Sequence, residues 1–221
     1  MNKQIKSVSV IGDSLLKGII YNEDKNIYNV LENNCISLLE EENNLNINNY
    51  SICGLNINNL NKYFNLVLNK SKDEIIILEI GSDSFEQDLL TNDFKPLYTI
   101  GKFNRILKNI IKMSKKDNRN IVLTTIPYIS NNKFYRFVSD KKGVRNQKGI
   151  LEINNFIEEI NDLIKKISRK YNVLLIDLNR GINSYDEDLY SVDGKYLSSK
   201  GHKILRNIFM ESFNKSSVYL V

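Results

Sequence analysis

The sequence of 221 residues carries 31 basic and 26 acidic side chains, a net charge of +5, and 42% hydrophobic residues. This length and composition are typical of one globular domain spanning residues 1–221, and no apolar run approaches the roughly eighteen residues of a membrane span. Basic and acidic residues are interspersed in segments such as EEINDLIKK. Because a phosphate footprint needs clustered cations, we expect neither a nucleic acid nor a membrane as partner.

The amino-terminal residues and the cysteines indicate a cytoplasmic protein. A basic head and an apolar run resemble an export signal, but Asp13 and Lys17 interrupt the run and no small-residue cleavage site follows. Cys35 and Cys53 are the only cysteines, and both lie in apolar sequence, where a reduced thiol is usually a small buried hydrophobe. We expect no metal and no cofactor, because the sequence has no Cys/His cluster with ligand spacing.

Short runs rich in β-branched residues predict five strands, at residues 7–12, 46–52, 74–80, 120–126 and 172–178. Two of the runs, EIIILEI and NIVLTTI, are almost continuously apolar, which is typical of strands covered on both faces of a parallel sheet. Helices are predicted between the strands, at residues 29–41, 58–68, 97–114 and 149–170. A last helix is predicted from a cap at Ser198 or Ser199 to about Met210.

This alternation predicts an α/β fold, a three-layer α/β/α sandwich around a five-stranded parallel sheet with right-handed crossovers. In such sheets, ligands bind beyond the carboxyl ends of the strands. Residues 128–148 form the one long polar connection of the sequence. Because they follow the fourth strand at that edge, they either wall a site there or form a solvated loop.

Four polar turns should meet at this edge of the sheet. Gly12-Asp13-Ser14 follows the first strand and places a hydroxyl at a helix start, where the helix dipole favours negative charge. Gly54 follows the second strand and could offer a backbone N–H to an oxyanion. Gly81-Ser82-Asp83-Ser84 follows the third strand, and Asp193-Gly194 precedes the last helix. Since Asp and Ser are common helix caps, the first turn alone is a weak sign of chemistry.

In this order, the turns resemble the sequence blocks of the GDSL, or SGNH, hydrolase family over essentially the whole chain. VIGDSLLKG resembles the first block, with Ser14 at the nucleophile, and NYSICGLNINNL the second, with Gly54 at the oxyanion glycine. ILEIGSDS resembles the third block, usually Gly-x-Asn-Asp, and DGKYLSSKGHKIL the last, usually Asp-Gly-x-His-Pro followed by Gly-His. The resemblance implies a flavodoxin-like sandwich and a serine ester hydrolase, with Asp193 supporting the base.

Two signature positions depart from the family pattern. Asp83 stands at the oxyanion Asn, where an ionised carboxylate cannot donate a hydrogen bond and repels the developing charge; losing one such donor costs about 10²–10³ in rate. Asp83 could help only if it were protonated, through burial or a neighbouring carboxylate such as Asp193. Tyr196 stands at the base histidine, and a neutral phenol is a poor proton acceptor at neutral pH. His202, the one histidine, matches a second, non-catalytic position of the last block.

These departures favour a protein that keeps the fold and a pocket but hydrolyses esters slowly or not at all. With Asp13, Asp83 and Asp193 near one mouth, the pocket would be acidic and suited to a cationic or hydroxyl-rich ligand, such as a small ester or a carbohydrate-like molecule. A plain flavodoxin-like module with an accidental GDS match is a further interpretation. Against it, the first turn lacks the Ser/Thr/Gly-rich loop that binds phosphate in flavodoxins.

An active enzyme is the main alternative. In this interpretation the protein is an esterase or acetyl hydrolase acting on a small or carbohydrate ester, Ser14 attacks, and Asp193 assists. Either His202 or an unusual Tyr196 serves as base, while Gly54 and the Ser14 backbone hold the oxyanion.

Overall fold

A computed structural model of the protein describes residues 7–43, 45–80, 100–143, 147–185 and 188–215. Within them, the strands are β1 (Ser7–Ile11), β2 (Ile19–Asn22), β3 (Ile27–Val30), β4 (Asn46–Asn49), β5 (Ile75–Leu78), β6 (Asn120–Thr124) and β7 (Leu174–Ile176). The helices are α1 (Ser14–Lys17), α2 (Cys35–Asn43), α3 (Ile57–Lys70), α4 (Ile100–Lys116), α5 (Asn131–Lys142), α6 (Gln147–Tyr171), α7 (Leu178–Asn183) and α8 (Ser199–Lys215).

The main sheet has five strands in the order β4-β1-β5-β6-β7, and every neighbouring pair is parallel. The central strand β5 is buried along its whole length, as its apolar sequence predicts. One face of the sheet packs on α3, α4, α5 and α6, and the other on α2, α7 and α8. The predicted three-layer α/β/α sandwich is therefore confirmed.

The predicted helix at residues 29–41 is wrong in its first part. β2 and β3 instead form an antiparallel hairpin in which Tyr21 lies opposite Tyr28, and helix α2 starts only at Cys35. Its start is capped by Asn34, whose side-chain oxygen accepts from the backbone N of Ile36 at 3.0 Å. Each strand of the hairpin has only four residues. The alternation of apolar and polar residues that marks a strand is therefore too short to be distinguished from the helical spacing of the residues that follow.

Residues 128–148 are not a solvated loop in their described part. They contain helix α5, whose Phe134 and Val138 are buried in the core, while residues 144–146 lie outside the described chain. The backbone N–H of Ser130, just before α5, donates to the carbonyl of Gly194 at 2.7 Å. The segment therefore lies beside the loop that carries Asp193, as the first of the two alternatives for it requires.

The last helix begins as predicted, because Ser198 accepts a hydrogen bond from the backbone N of Gly201 at 3.2 Å, but it continues to Lys215. Cys35 is buried, as predicted, whereas Cys53 is exposed. The prediction for Cys53 is wrong because this residue lies in the surface turn after β4. Among the described helices, none combines the length and the apolar character needed to cross a bilayer.

Candidate functional site

The turn after β1 lies between the residues that directly follow β4 and β5, at the carboxyl edge of the sheet. The backbone N–H of Ile52, beyond β4, donates to the carbonyl of Gly12 at 3.0 Å. On the other side of β1, the N–H of Glu79 donates to the carbonyl of Ile11 at 2.9 Å. The turn that carries Ser14 is thus held between its two neighbours, as the parallel sheet predicts.

Ser14 is the first residue of the four-residue helix α1, and its side chain is in the interior. The carboxylate of Asp13 caps this helix by accepting from the backbone N of Leu15 at 2.9 Å. Gly18, in the left-handed conformation, ends the helix. Only 2% of the Ser14 surface is exposed, so the candidate nucleophile has little direct access to solvent.

Glu79 is a site residue that sequence reasoning missed. Its side chain is buried at the end of β5, and its Oε2 accepts from the backbone N of Asp13 at 3.0 Å. The same oxygen would lie 3.0 Å from a Cβ added to Gly12. Glu79 therefore holds the turn ahead of Ser14 and requires the small residue at position 12. An acid within the apolar run IIILEI was the signal that could have revealed it.

Gly54 lies in a tight turn at the same edge. The turn is closed by a hydrogen bond from the backbone N of Leu55 to the carbonyl of Ile52 at 3.3 Å. Gly54 has φ +75°, and no atom lies within 4 Å of an added Cβ. The residue is exposed and stands next to the Ser14 turn, so it remains the candidate oxyanion glycine.

Asp193 is fully buried in the loop before α8, and one of its carboxylate oxygens is satisfied. Its Oδ1 accepts from Ser191 Oγ at 2.5 Å and from the backbone N–H groups of Lys195 and Tyr196 at 3.1 and 3.2 Å. Its Oδ2 has no hydrogen-bond partner among the described residues. Burial raises the pKa of Asp193, although these hydrogen bonds oppose the rise. The carboxylate is thus fixed in position with one oxygen available.

Tyr196 lies in the same loop as Asp193, and its ring faces the β2–β3 hairpin. Its ring packs edge-to-face against Tyr28, with the two centroids 5.5 Å apart. The ammonium of Lys195 is 4.9 Å from the centre of the Tyr196 ring, within the range of a cation–π interaction. The hairpin is anchored in turn by Tyr21, whose ring contacts both Tyr28 and Phe137 of α5. The Tyr196 phenol, which the sequence resemblance aligns with the family's imidazole, therefore lies in an aromatic cluster.

His202 is fully buried near the start of α8 and contacts α2. Its Nδ1 accepts from the backbone N of Cys35 at 3.4 Å, and its Nε2 has no partner in the described part of the chain. Burial lowers the pKa of His202 to about 4. The imidazole joins two helices, which fits the non-catalytic position that the sequence resemblance implies.

The acidic mouth expected from the sequence is described only in part, because Asp83 lies outside the described residues. Asp13 and Asp193 are both buried, together with Glu79, and each accepts backbone hydrogen bonds. Among the residues that the structure describes, no group of three or more His, Cys, Asp or Glu side chains could hold a metal ion.

Neither a family model nor a curated protein matches the sequence, but solved structures match nearly its whole length. A lipase/acylhydrolase from Enterococcus faecalis has a TM-score of 0.69 and 16% identity, over 95% of this chain and 95% of that chain. A lipolytic protein of the G-D-S-L family from Desulfitobacterium hafniense DCB-2 has a TM-score of 0.67 and 17% identity, over 94% and 99%.

A third similar structure is the psychrotrophic esterase EstA from Pseudoalteromonas sp., with a TM-score of 0.65 and 16% identity, over 95% of this chain and 97% of that chain. These likenesses agree with the order of strands and with the turns that meet at the carboxyl edge of the sheet. The chain therefore has the fold of the GDSL, or SGNH, hydrolases, as the sequence blocks predicted.

Proposed function

We propose that this protein is a catalytically impaired SGNH hydrolase that keeps a pocket for a small ester or a carbohydrate-like ligand, and that it acts in the cytoplasm. The observation that carries this proposal is the placement of its one imidazole. His202 is fully buried, bonded to the backbone of Cys35, and has a pKa of about 4. The position of the family base is occupied by the phenol of Tyr196.

A serine hydroxyl needs a base to become a nucleophile at neutral pH. In the family mechanism an imidazole takes the serine proton, while a carboxylate holds that imidazole in the correct tautomer. A neutral phenol is itself a weak acid and has almost no tendency to accept this proton. Asp193 therefore has no imidazole to orient, and the Ser14 hydroxyl stays protonated.

The proposed ligand class rests on the site and on the named relatives. Structures with this fold include a lipase/acylhydrolase and an acetyl xylan esterase, so an ester or an acylated sugar fits a pocket retained from such an ancestor. The aromatic rings of Tyr28 and Tyr196, beside the Lys195 ammonium, offer apolar surface and a hydrogen-bond donor of the kind that such ligands use.

The proposal is tested by hydrolysis of p-nitrophenyl acetate at pH 7.5. We expect the wild-type protein and Ser14→Ala to give the same slow rate, because no base activates the hydroxyl in either. Ser184→Ala, which removes an exposed hydroxyl at the end of α7 that donates to the carbonyl of Gly181, is the control for loss of a hydroxyl. Calorimetric titration with acetylated sugars and short acyl esters then measures binding without turnover. A wild-type rate well above background that collapses in Ser14→Ala but not in Ser184→Ala would contradict the proposal.

The contact between Lys195 and Tyr196 favours a second candidate, an active esterase with a phenolate base. The Lys195 ammonium, 4.9 Å from the ring centre, places a positive charge beside this side chain. In that case the Ser14-dependent rate in the same assay would rise with pH above neutrality and would be lost in Tyr196→Phe.

A further inference from the structure

All charged side chains of helices α3 and α4 are basic, and we call the exposed surface of these two helices the basic face. Within their residue ranges there are eight basic side chains and no acidic one. This number exceeds the net charge of +5 of the whole chain, so the rest of the protein is net acidic. The basic residues are Lys62, Lys70, Lys102, Arg105, Lys108, Lys112, Lys115 and Lys116. Sequence reasoning emphasised interspersed segments and overlooked this segregation.

A groove of about 600 Å³ follows this face along α4. Its lining includes four of the basic side chains, the amides of Asn58, Asn61 and Asn109 from the two helices, and Tyr171 from the end of α6. No carboxylate lines it. The basic lining residues are Lys102, Arg105, Lys108 and Lys112. The groove therefore combines positive charge with neutral hydrogen-bonding amides.

Hydrogen bonds between helices shape the walls of the groove. Asn109 donates to the side-chain oxygen of Asn61 at 3.3 Å, which ties α4 to α3. On the other side, the ammonium of Lys115 donates to the carbonyl of Tyr171 at 3.0 Å and so ties α4 to α6. Helix α4 is thus held to a neighbouring helix on each side. Because the backbone that carries the cations is already fixed, binding a ligand costs less conformational entropy.

The cations along the groove repel one another in the absence of a ligand. Lys108 and Lys112 are four residues apart on α4, and Arg105 and Lys108 are three apart. Like charges at these spacings destabilise a helix. Arg105, Lys108 and Lys112 form no ion pair with any described residue. A bound polyanion would replace this repulsion with attraction.

We propose that this groove binds a small molecule that carries several phosphate groups. Its volume lies in the range of roughly 300–1,000 Å³ typical of small-molecule sites. From Lys102 to Lys112 the helix rises about 15 Å, which is the length of a nucleotide-sized ligand rather than of an extended polymer. Arg105 offers the planar fork that pairs with phosphate oxygens, and the lysines add point charges.

The same face is poorly suited to a lipid surface. None of the exposed large apolar side chains of the described residues lines the groove, and the one aliphatic lining residue, Ile106, is buried. Peripheral membrane binding needs apolar side chains that enter the bilayer in addition to basic ones. A concave basic site without such side chains fits a phosphorylated small molecule better.

The test is calorimetric titration with sodium tripolyphosphate at about 50 mM salt. Two charge-reversal variants are compared, each with two exposed lysine or arginine residues changed: Arg105→Glu/Lys112→Glu in the groove and Lys203→Glu/Lys215→Glu on α8, across the sheet. Thermal melting of each variant verifies folding. We expect the wild-type protein to bind tripolyphosphate. The affinity of the groove variant should be lower by about tenfold or more, because two attractive contacts become repulsive, and that of the control variant should change by less than about twofold.

Three results would overturn the proposal. One is the absence of tripolyphosphate binding by the folded wild-type protein at millimolar concentration. Another is an equal loss of affinity in both variants, which would indicate only a response to net charge. The third is tighter binding of a single-stranded oligonucleotide or of anionic phospholipid vesicles than of tripolyphosphate, again sensitive to Arg105→Glu/Lys112→Glu, which would assign the face to a macromolecule.

Discussion

Asp193 and Tyr196, the two residues to which the proposed function assigns the remains of a catalytic arrangement, lie in one short loop. The carboxylate is fully buried and its Oδ1 accepts three hydrogen bonds, while Oδ2 has no partner in the described chain. Burying a carboxylate oxygen without a partner costs free energy. The Tyr196→His change described below tests whether an imidazole at this position can supply a donor to Oδ2.

His202 leads to a prediction about acid stability. Its pKa is lowered from 6.5 to about 4 by burial, so between these two pH values the unfolded chain binds a proton that the folded chain does not. The free energy of unfolding should therefore fall as the pH falls through this window, by roughly 2–3 kcal/mol between pH 7 and pH 4.5 from this residue. Beyond about one pH unit above 6.5, the histidine is neutral in both states and contributes no pH dependence.

Urea unfolding of the wild-type protein and of His202→Gln at several pH values measures this contribution. Because carboxyl groups titrate in the same range, the informative quantity is the difference between the two proteins. We expect the stability of His202→Gln to fall less steeply toward pH 4.5, whatever its stability at pH 7. Parallel curves for the two proteins would refute a buried neutral imidazole at this position.

At the scale of secondary-structure elements, the β2–β3 hairpin and helix α5, which are distant from each other in sequence, both pack beside the Asp193 loop. The β2–β3 hairpin contacts α5 through the rings of Tyr21 and Phe137 and contacts the Asp193 loop through the rings of Tyr28 and Tyr196. A further hydrogen bond of 2.7 Å joins Lys141 of α5 to Asn26 in the turn of the hairpin. These contacts fix the position of the Tyr196 ring.

The junction between α5 and the Asp193 loop leads to a prediction about Gly194. This glycine has φ +68°, and a Cβ at this position would overlap the backbone N of Phe134 and lie 2.7 Å from Lys133 Cβ. We therefore expect Gly194→Ala to lower the free energy of unfolding by about 3 kcal/mol or more, through backbone strain and a clash that the packed helix cannot relieve.

Gly54→Ala is the matched control for this variant. Gly54 also has a positive φ, of +75°, but an added Cβ there meets nothing within 4 Å. Only the conformational cost of the left-handed region applies, about 1 kcal/mol. Denaturant unfolding of both variants measures the two costs. Equal losses of stability would mean that the loop and α5 are not in close contact.

Over the whole molecule, the sheet could be predicted from the sequence because burial on both faces leaves a strong local pattern. The run IIIL of β5 is apolar at every position and buried at every position, so a short window suffices to recognise it. Helix α6 could be predicted because its buried residues, from Ile153 to Ile167, recur at helical spacing and form one long apolar stripe. Fold class and the edge that carries the site follow from these elements together with general rules of chain connection.

Other features depend on contacts that no local window contains. The hairpin is stabilised by rings of α5 and of the Asp193 loop, and Glu79 has meaning only through the backbone N of Asp13. The sequence blocks identified Asp193 and Tyr196, but not that one oxygen of Asp193 lacks a partner. The run of basic residues in α4 is visible in its own sequence, but the groove depends on α3 and α6, which supply the rest of its lining.

Restoration of hydrolysis tests the central claim, that an intact scaffold has lost its chemistry, most directly. The variant Tyr196→His/Asp83→Asn supplies a base beside Asp193 Oδ2 and an amide at the position of the family's oxyanion donor. The rate of p-nitrophenyl acetate hydrolysis is measured for it and for the same variant with Ser14→Ala or Asp193→Asn added. We predict a gain of about 10²-fold or more over the wild type, lost with Ser14→Ala and reduced with Asp193→Asn. A folded variant without any Ser14-dependent gain would contradict the claim.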